Sequence, residues 1–188
     1  MNMKEHQTFY TLKKIFLLLM SIFCVLNFYS QNLSQEEEDL YDYIMRYRTS
    51  KGLPEIPISK SLTKVAQLHV HDLMNNQPDK GVCNLHSWSN KGDWSPCCYT
   101  SDHKKAECIW DKPREITEYK GDGYEISHWK SNGATASSAF NGWKNSPGHN
   151  RVMINLRNWS DNEWKAIGIG IYENYAVVWF GEEPDIVN

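Results

Sequence analysis

The last third of the chain constrains the fold most. Ala166-Ile167-Gly168-Ile169-Gly170-Ile171 alternates strictly, with isoleucine on one side and glycine or alanine on the other. That is the period of a β-strand. Glu173-Asn174 marks a turn, and Tyr175 to Phe180 returns as a nearly continuous apolar run. A strand that is apolar on both faces has to be covered on both, so this run predicts a sheet centre between two layers.

Helical segments upstream supply the cover. Ser34-Gln35-Glu36-Glu37 is a capping box, and Leu40, Tyr43, Ile44 and Tyr47 follow on one helical face. Lys51-Gly52 ends that helix, and Pro54 and Pro57 make a short turn. A second helix is expected from about Ser59 to Met74, burying Leu62, Val65, Ala66, His69 and Leu73. A third starts near Thr135 and presents Ala136, Ala139, Phe140 and Trp143. Ser146-Pro147 reads as an N-cap followed by proline at the first helical position. His149 then falls in the first turn of a short fourth helix whose Met153 and Leu156 face the core. The sum is α+β: helices packed on a short antiparallel sheet.

The N-terminus reads as a targeting segment. Lys13-Lys14 precedes the apolar run Ile15 to Leu26, and Tyr29-Ser30 leads into polar Gln31. This is the layout of a secretory signal peptide over residues 1–30, leaving one domain over 31–188. Of 20 basic side chains three (Lys4, Lys13, Lys14) lie in the leader, and of 23 acidic ones one (Glu5), so 17 and 22 remain. An acidic balance gives no electrostatic footprint for nucleic acid. A mean hydropathy of −0.62 excludes a polytopic membrane protein, and no stable membrane insertion is expected once the leader is cut.

Residues 75–130 are poor in aliphatics and hold Cys83, Cys97, Cys98 and Cys108. Such a region needs covalent staples, and a loop this long commonly serves a site. A vicinal 97–98 bond is sterically poor, which leaves two disulfide pairings open; a zinc knuckle with His103 is the alternative. Trp88, Trp94 and Trp110 in this region are candidates for a sugar-stacking or apolar ligand surface, or for plain packing.

Three polar positions stand out: His86 in Asn84-Leu85-His86-Ser87-Trp88, Glu125 in Gly123-Tyr124-Glu125-Ile126, and His149 in Ser146-Pro147-Gly148-His149. Two imidazoles and a carboxylate suit a divalent metal, zinc above all, or metal-free acid–base work. Ser87 beside His86 invites a Ser-His-Glu triad, but no Gly-x-Ser-x-Gly elbow supports one. His69, on an apolar stripe, reads as a hydrogen-bonded core histidine or one that supports a site residue from behind, rather than as a ligand. His71 and His103 read as surface residues, and His128 as a neighbour of the cleft.

In order and motif the chain resembles the CAP superfamily, also called SCP-like or cysteine-rich secretory protein, antigen 5 and pathogenesis-related 1, in its bacterial secreted branch. The resemblance rests on His86-Ser87, Tyr124-Glu125-Ile126, Trp143-Lys144-Asn145-Ser146-Pro147-Gly148-His149, Ile167-Gly168-Ile169-Gly170 and the final aromatic strand, and spans about residues 34–183. It implies a three-layer α-β-α sandwich with a polar cleft lined by His86, Ser87, Glu125 and His149, where such residues often hold a divalent cation. Eukaryotic members place a second glutamate after the helix tryptophan, where this chain has Asn145 and Ser146. They also place a histidine at a late strand that here reads Tyr175-Ala176-Val177. Three of four groups therefore remain. The function this implies is a secreted or periplasmic binding module for an extracellular lipid, cell-wall component or protein. A metal-assisted hydrolase or peptidase using the same cleft is the alternative.

Overall fold

The computed structural model describes residues 33–186; the leader expected over 1–30 lies outside them. Helix α1 (Gln35–Ser50) begins at the expected capping box, with Ser34 Oγ accepting from Glu37 N and Glu37 Oε2 accepting from Ser34 N at 2.7 Å. The buried Glu37 carboxylate also accepts from Ile171 N (3.1 Å) and Gln67 Nε2 (3.2 Å), so the cap joins three elements. Helix α2 (Lys60–Asn76) is capped by Ser59 Oγ on Leu62 N. Asp185 from the C-terminal tail accepts from Ser59 Oγ and Ser61 N, pinning the tail to that helix start.

Helices α3 (Glu107–Trp110) and α4 (Lys112–Ile116) are single turns, and β1 (Tyr124–Trp129) follows. The expectation of an irregular region to 130 is corrected here. Tyr124-Glu125-Ile126-Ser127 is too short a pattern to read alone and becomes a strand by pairing with a distant one. Helices α5 (Ala136–Asn145) and α6 (Pro147–Met153) come next, then a 3-10 turn over Arg157–Trp159. Ser146 stands at the start of α6 without a side-chain cap bond. Met153 is buried, but Leu156 is 45% exposed: left-handed Asn155 and Arg157 turn the chain outward after the helix.

Strands β2 (Ala166–Tyr172) and β3 (Tyr175–Gly181) form the expected hairpin. The sheet is antiparallel with order β1-β3-β2, so β3 is central, and all its residues are buried. One face packs Ile167, Ile169, Val178 and Phe180 against Leu40, Ile44, Trp143 and Met153. The other packs Val177 and Trp179 against Leu62, Val65, Ala66 and Leu73. The result is an α-β-α sandwich. Arg48 closes the first layer: its buried guanidinium donates to Pro54 O, Met153 O and Asn155 Oδ1 at 2.6–3.1 Å, which fixes the far end of α6. Burial lowers its pKa to about 10.

The cysteines pair as Cys83–Cys98 and Cys97–Cys108, so the knuckle alternative is excluded and one of the two open pairings is selected. His103 bonds Tyr99 instead (2.9 Å). Between the bridges Trp88 and Cys97 exchange backbone hydrogen bonds of 2.7 and 2.9 Å.

The alternation in β2 has a direct packing role. A Cβ at Gly168 would overlap the backbone of Leu62 and Thr63, and one at Gly170 that of Ala66. Helix α2 thus lies on bare strand backbone. Gly168→Ala is expected to destabilise by about 1–3 kcal/mol through overpacking, read as a lower denaturant midpoint. Gly148→Ala, where a Cβ meets nothing, is expected to leave that midpoint almost unchanged.

Candidate functional site

Glu125 lies on β1, and its side chain is only 1% exposed. Its Oε2 is 3.1 Å from His86 Nδ1, and its Oε1 is 3.2 Å from His69 Nδ1, at ion-pair distance but off hydrogen-bond alignment. The carboxylate is therefore held between two imidazoles that come from different segments of the chain. His69 comes from the middle of α2 and is fully buried, stacked on Trp88 at 4.2 Å with ring planes 8° apart. Its Nε2 is 3.0 Å from Ser87 O. A carbonyl only accepts, so Nε2 is the donor of that bond and Nδ1 is the ring atom that faces Glu125.

His86 comes from the stapled loop, which several bonds fix in place. Asn84 Oδ1 accepts from His86 N (3.1 Å). Asp72 on α2 accepts from Ser89 N (2.7 Å) and Ser89 Oγ (2.5 Å). Ser87, expected to line the cleft, is fully buried, with its Oγ accepting from Tyr99 N (2.9 Å) and donating to Tyr99 O (3.4 Å). Its hydroxyl braces the loop and does not face His86 as a nucleophile would. The His86 side chain keeps 22% exposure. Ser127 Oγ lies 3.5 Å from its Nδ1.

His149 enters from α6, half-buried, within electrostatic reach of His86 and Glu125. Burial and then the neighbouring His86 charge push its pKa down. His128, on the same strand as Glu125, is also lowered, by burial and Lys130, and sits 3.3 Å from Ser138 Oγ. Of the four expected side chains, His86 and Glu125 are in contact, His149 is near, and Ser87 is turned away. His69, read from the sequence as a buried, hydrogen-bonded histidine, is fully buried and stands directly behind Glu125. Its only sequence signal was a polar side chain on an apolar stripe.

The expected metal ligands His86, Glu125 and His149 bear on an ion only through their side-chain geometry. Glu125 is committed to two rings, and among the described residues no group of three His, Cys, Asp or Glu side chains is placed to hold an ion. Of Trp88, Trp94 and Trp110, the first is core, the second is half-buried against it, and only Trp110 presents an exposed face.

Burial opposes the charge of Glu125, but the two imidazoles outweigh it and bring its pKa to about 2. Burial also opposes a charged His86, and Glu125 outweighs it, so His86 is raised. His86's contribution to stability is whole below its ordinary value of 6.5 and is lost as pH climbs through the raised value. Glu125's is whole above 4.5 and is lost as pH falls through about 2. The pair therefore supports the fold most between 4.5 and 6.5. In Glu125→Gln the His86 titration followed by NMR is expected to fall below its wild-type value, with the alkaline loss of thermal stability moving the same way.

The cysteine-rich secretory protein (CAP) family model matches residues 41–180. No curated protein matches the chain. Among solved structures, an extracellular protein containing an SCP domain from Bacillus anthracis superposes with a TM-score of 0.54 at 17% identity, over 79% of this chain and 40% of its own. An outer surface protein from Borrelia burgdorferi does so with 0.52 at 20% identity, over 80% and 96%. This chain thus spans 40% of the length of the Bacillus protein. Both likenesses carry the fold, and both proteins are extracellular or outer-surface by description. No helix among the described residues is long and apolar enough to cross a membrane. With three-quarters of its length under the family model and the sandwich in place, the chain belongs to the cysteine-rich secretory protein (CAP) family.

Proposed function

We propose that the protein is an extracellular ligand-binding domain whose working surface is the His86–His149 mouth above buried Glu125. One observation carries this reading. The acid is turned inward, 1% exposed, while the histidine it charges keeps 22% exposure. His86 Nδ1 is engaged by Glu125, and its Nε2 has no hydrogen-bond partner among the described residues. A partly buried imidazolium with one edge free is a donor for an acceptor oxygen, and a carboxylate on a wall component, a lipid or a protein gives it the strongest partner.

The hydrolase reading finds less support. It needs a nucleophile or a bound water with a base, yet the Ser87 hydroxyl is taken by Tyr99 and Glu125 by two rings. The export implied by the leader and the extracellular relatives fits either role.

The test is an NMR titration of the purified protein with acetate and with short peptides bearing a free terminal carboxylate. The ring signals of His86 and His149 are expected to move together. His86→Gln is expected to weaken peptide binding about tenfold, the cost of losing one charge-assisted hydrogen bond. Unmoved ring signals, or equal binding by His86→Gln, would overturn the proposal. If zinc at one equivalent instead shifts both rings and raises the melting temperature, a metal centre takes its place.

A further inference from the structure

A second surface lies apart from the cleft and uses none of its residues. Trp110, at the end of α3, is 38% exposed, and its ring centroid is 6.0 Å from that of Tyr124 at the start of β1. Tyr124 is in turn 5.3 Å from Trp159 on the 3-10 turn. Three segments distant in sequence thus contribute one continuous row of partly exposed aromatic rings. Buried Trp164 backs the row, 5.3 Å from Tyr124 and 5.7 Å from Trp159, and is itself fixed by Nε1 donating to Val152 O at 2.8 Å. The rim is polar. Tyr124 Oη lies 3.5 Å from Glu182 Oε2, and Arg114 pairs with both Asp111 and Asp122.

We propose that this row binds a neutral carbohydrate chain, with the aromatic faces taking the C–H faces of sugar rings and the rim groups bonding their hydroxyls. The geometry favours this ligand class over three others. Trp110 is tilted on Tyr124 by 56° and Tyr124 meets Trp159 edge to face at 78°, a row of inclined rings rather than the facing walls of an aromatic cage for an ammonium group. Arg114 at the rim is matched by two carboxylates, Asp111 and Asp122, so its charge is already paired rather than open to an anionic ligand. An apolar chain laid on the row would strip water from Glu182, Asp122 and Arg114 without replacing its hydrogen bonds, a cost that hydroxyls avoid. The steps between centroids are each on the scale of one sugar ring, and the successive tilts give a stepped surface that suits a twisted chain.

The experiment uses two soluble probes, the β-1,4-linked tetramers of N-acetylglucosamine and of glucose, followed by the indole N–H signals and the tryptophan fluorescence of the purified protein. The indole signals of Trp110 and Trp159 are expected to shift with at least one tetramer. Trp110→Ala, at an exposed position, is expected to weaken that binding about tenfold with an unchanged unfolding midpoint. Tyr124→Phe tests the hydroxyl alone and is expected to weaken it severalfold. His86→Gln is expected to bind the sugar like the wild type, which separates this surface from the cleft. No indole response to either tetramer at tens of millimolar, equal binding by Trp110→Ala, or a response to tetramethylammonium in place of sugar would overturn the proposal.

Discussion

A carboxylate with almost no access to water survives as a charge only if its surroundings replace the water, and Glu125 is such a group. Its replacement solvent is two imidazoles, one from the middle of α2 and one from the stapled loop. That requirement ties three parts of the fold to one point. Strand β1 has to hold its register against β3, α2 has to lie close to the sheet, and the loop has to carry His86 to within 3.1 Å. Removing one partner of such a pair strands the other, so the site and the second layer of the sandwich stand or fall together.

The close approach of α2 is made possible by Gly168 and Gly170, where helix backbone meets strand backbone. The loop is held by a different set of forces. Two disulfides, the Trp88–Cys97 backbone pair, the Ser87 hydroxyl on Tyr99 and Asp72 on Ser89 restrain it from several directions. Lys112 adds a buried donor to Ser95 O at 2.6 Å and a contact over the Trp88 ring. A segment with few aliphatics is thereby ordered by covalent and polar links rather than by a core of its own.

Most of the scaffold was legible in the sequence because its signals are local. The Ser34–Glu37 box, the stripe of α2, the Ser146-Pro147 helix start and the Ile/Gly alternation each depend on residues a few positions apart. Leu156 broke the pattern because left-handed Asn155 lies between it and the helix and left-handed Arg157 follows it. Strand β1 was not legible, since six residues with mixed polarity become a strand only through Trp179, Val178 and their neighbours. At the site, His86, Glu125 and His149 stood out by motif. Ser87 stood out for the same reason, although its side chain points into the loop.

The sequence by itself determined the four longest helices, which strand is central, and that the chain has the pattern of a secreted cysteine-stapled family. Its information is periodicity and capping, which act over a few residues. Tertiary structure alone decided which cysteines pair, that His69 rather than a third ligand completes the surroundings of Glu125, and that Trp110, Tyr124 and Trp159 share a surface. The physical reason is that hydrogen bonds, ion pairs and ring contacts depend on ångström distances between residues far apart along the chain, and only the packed sheet and helices set those distances.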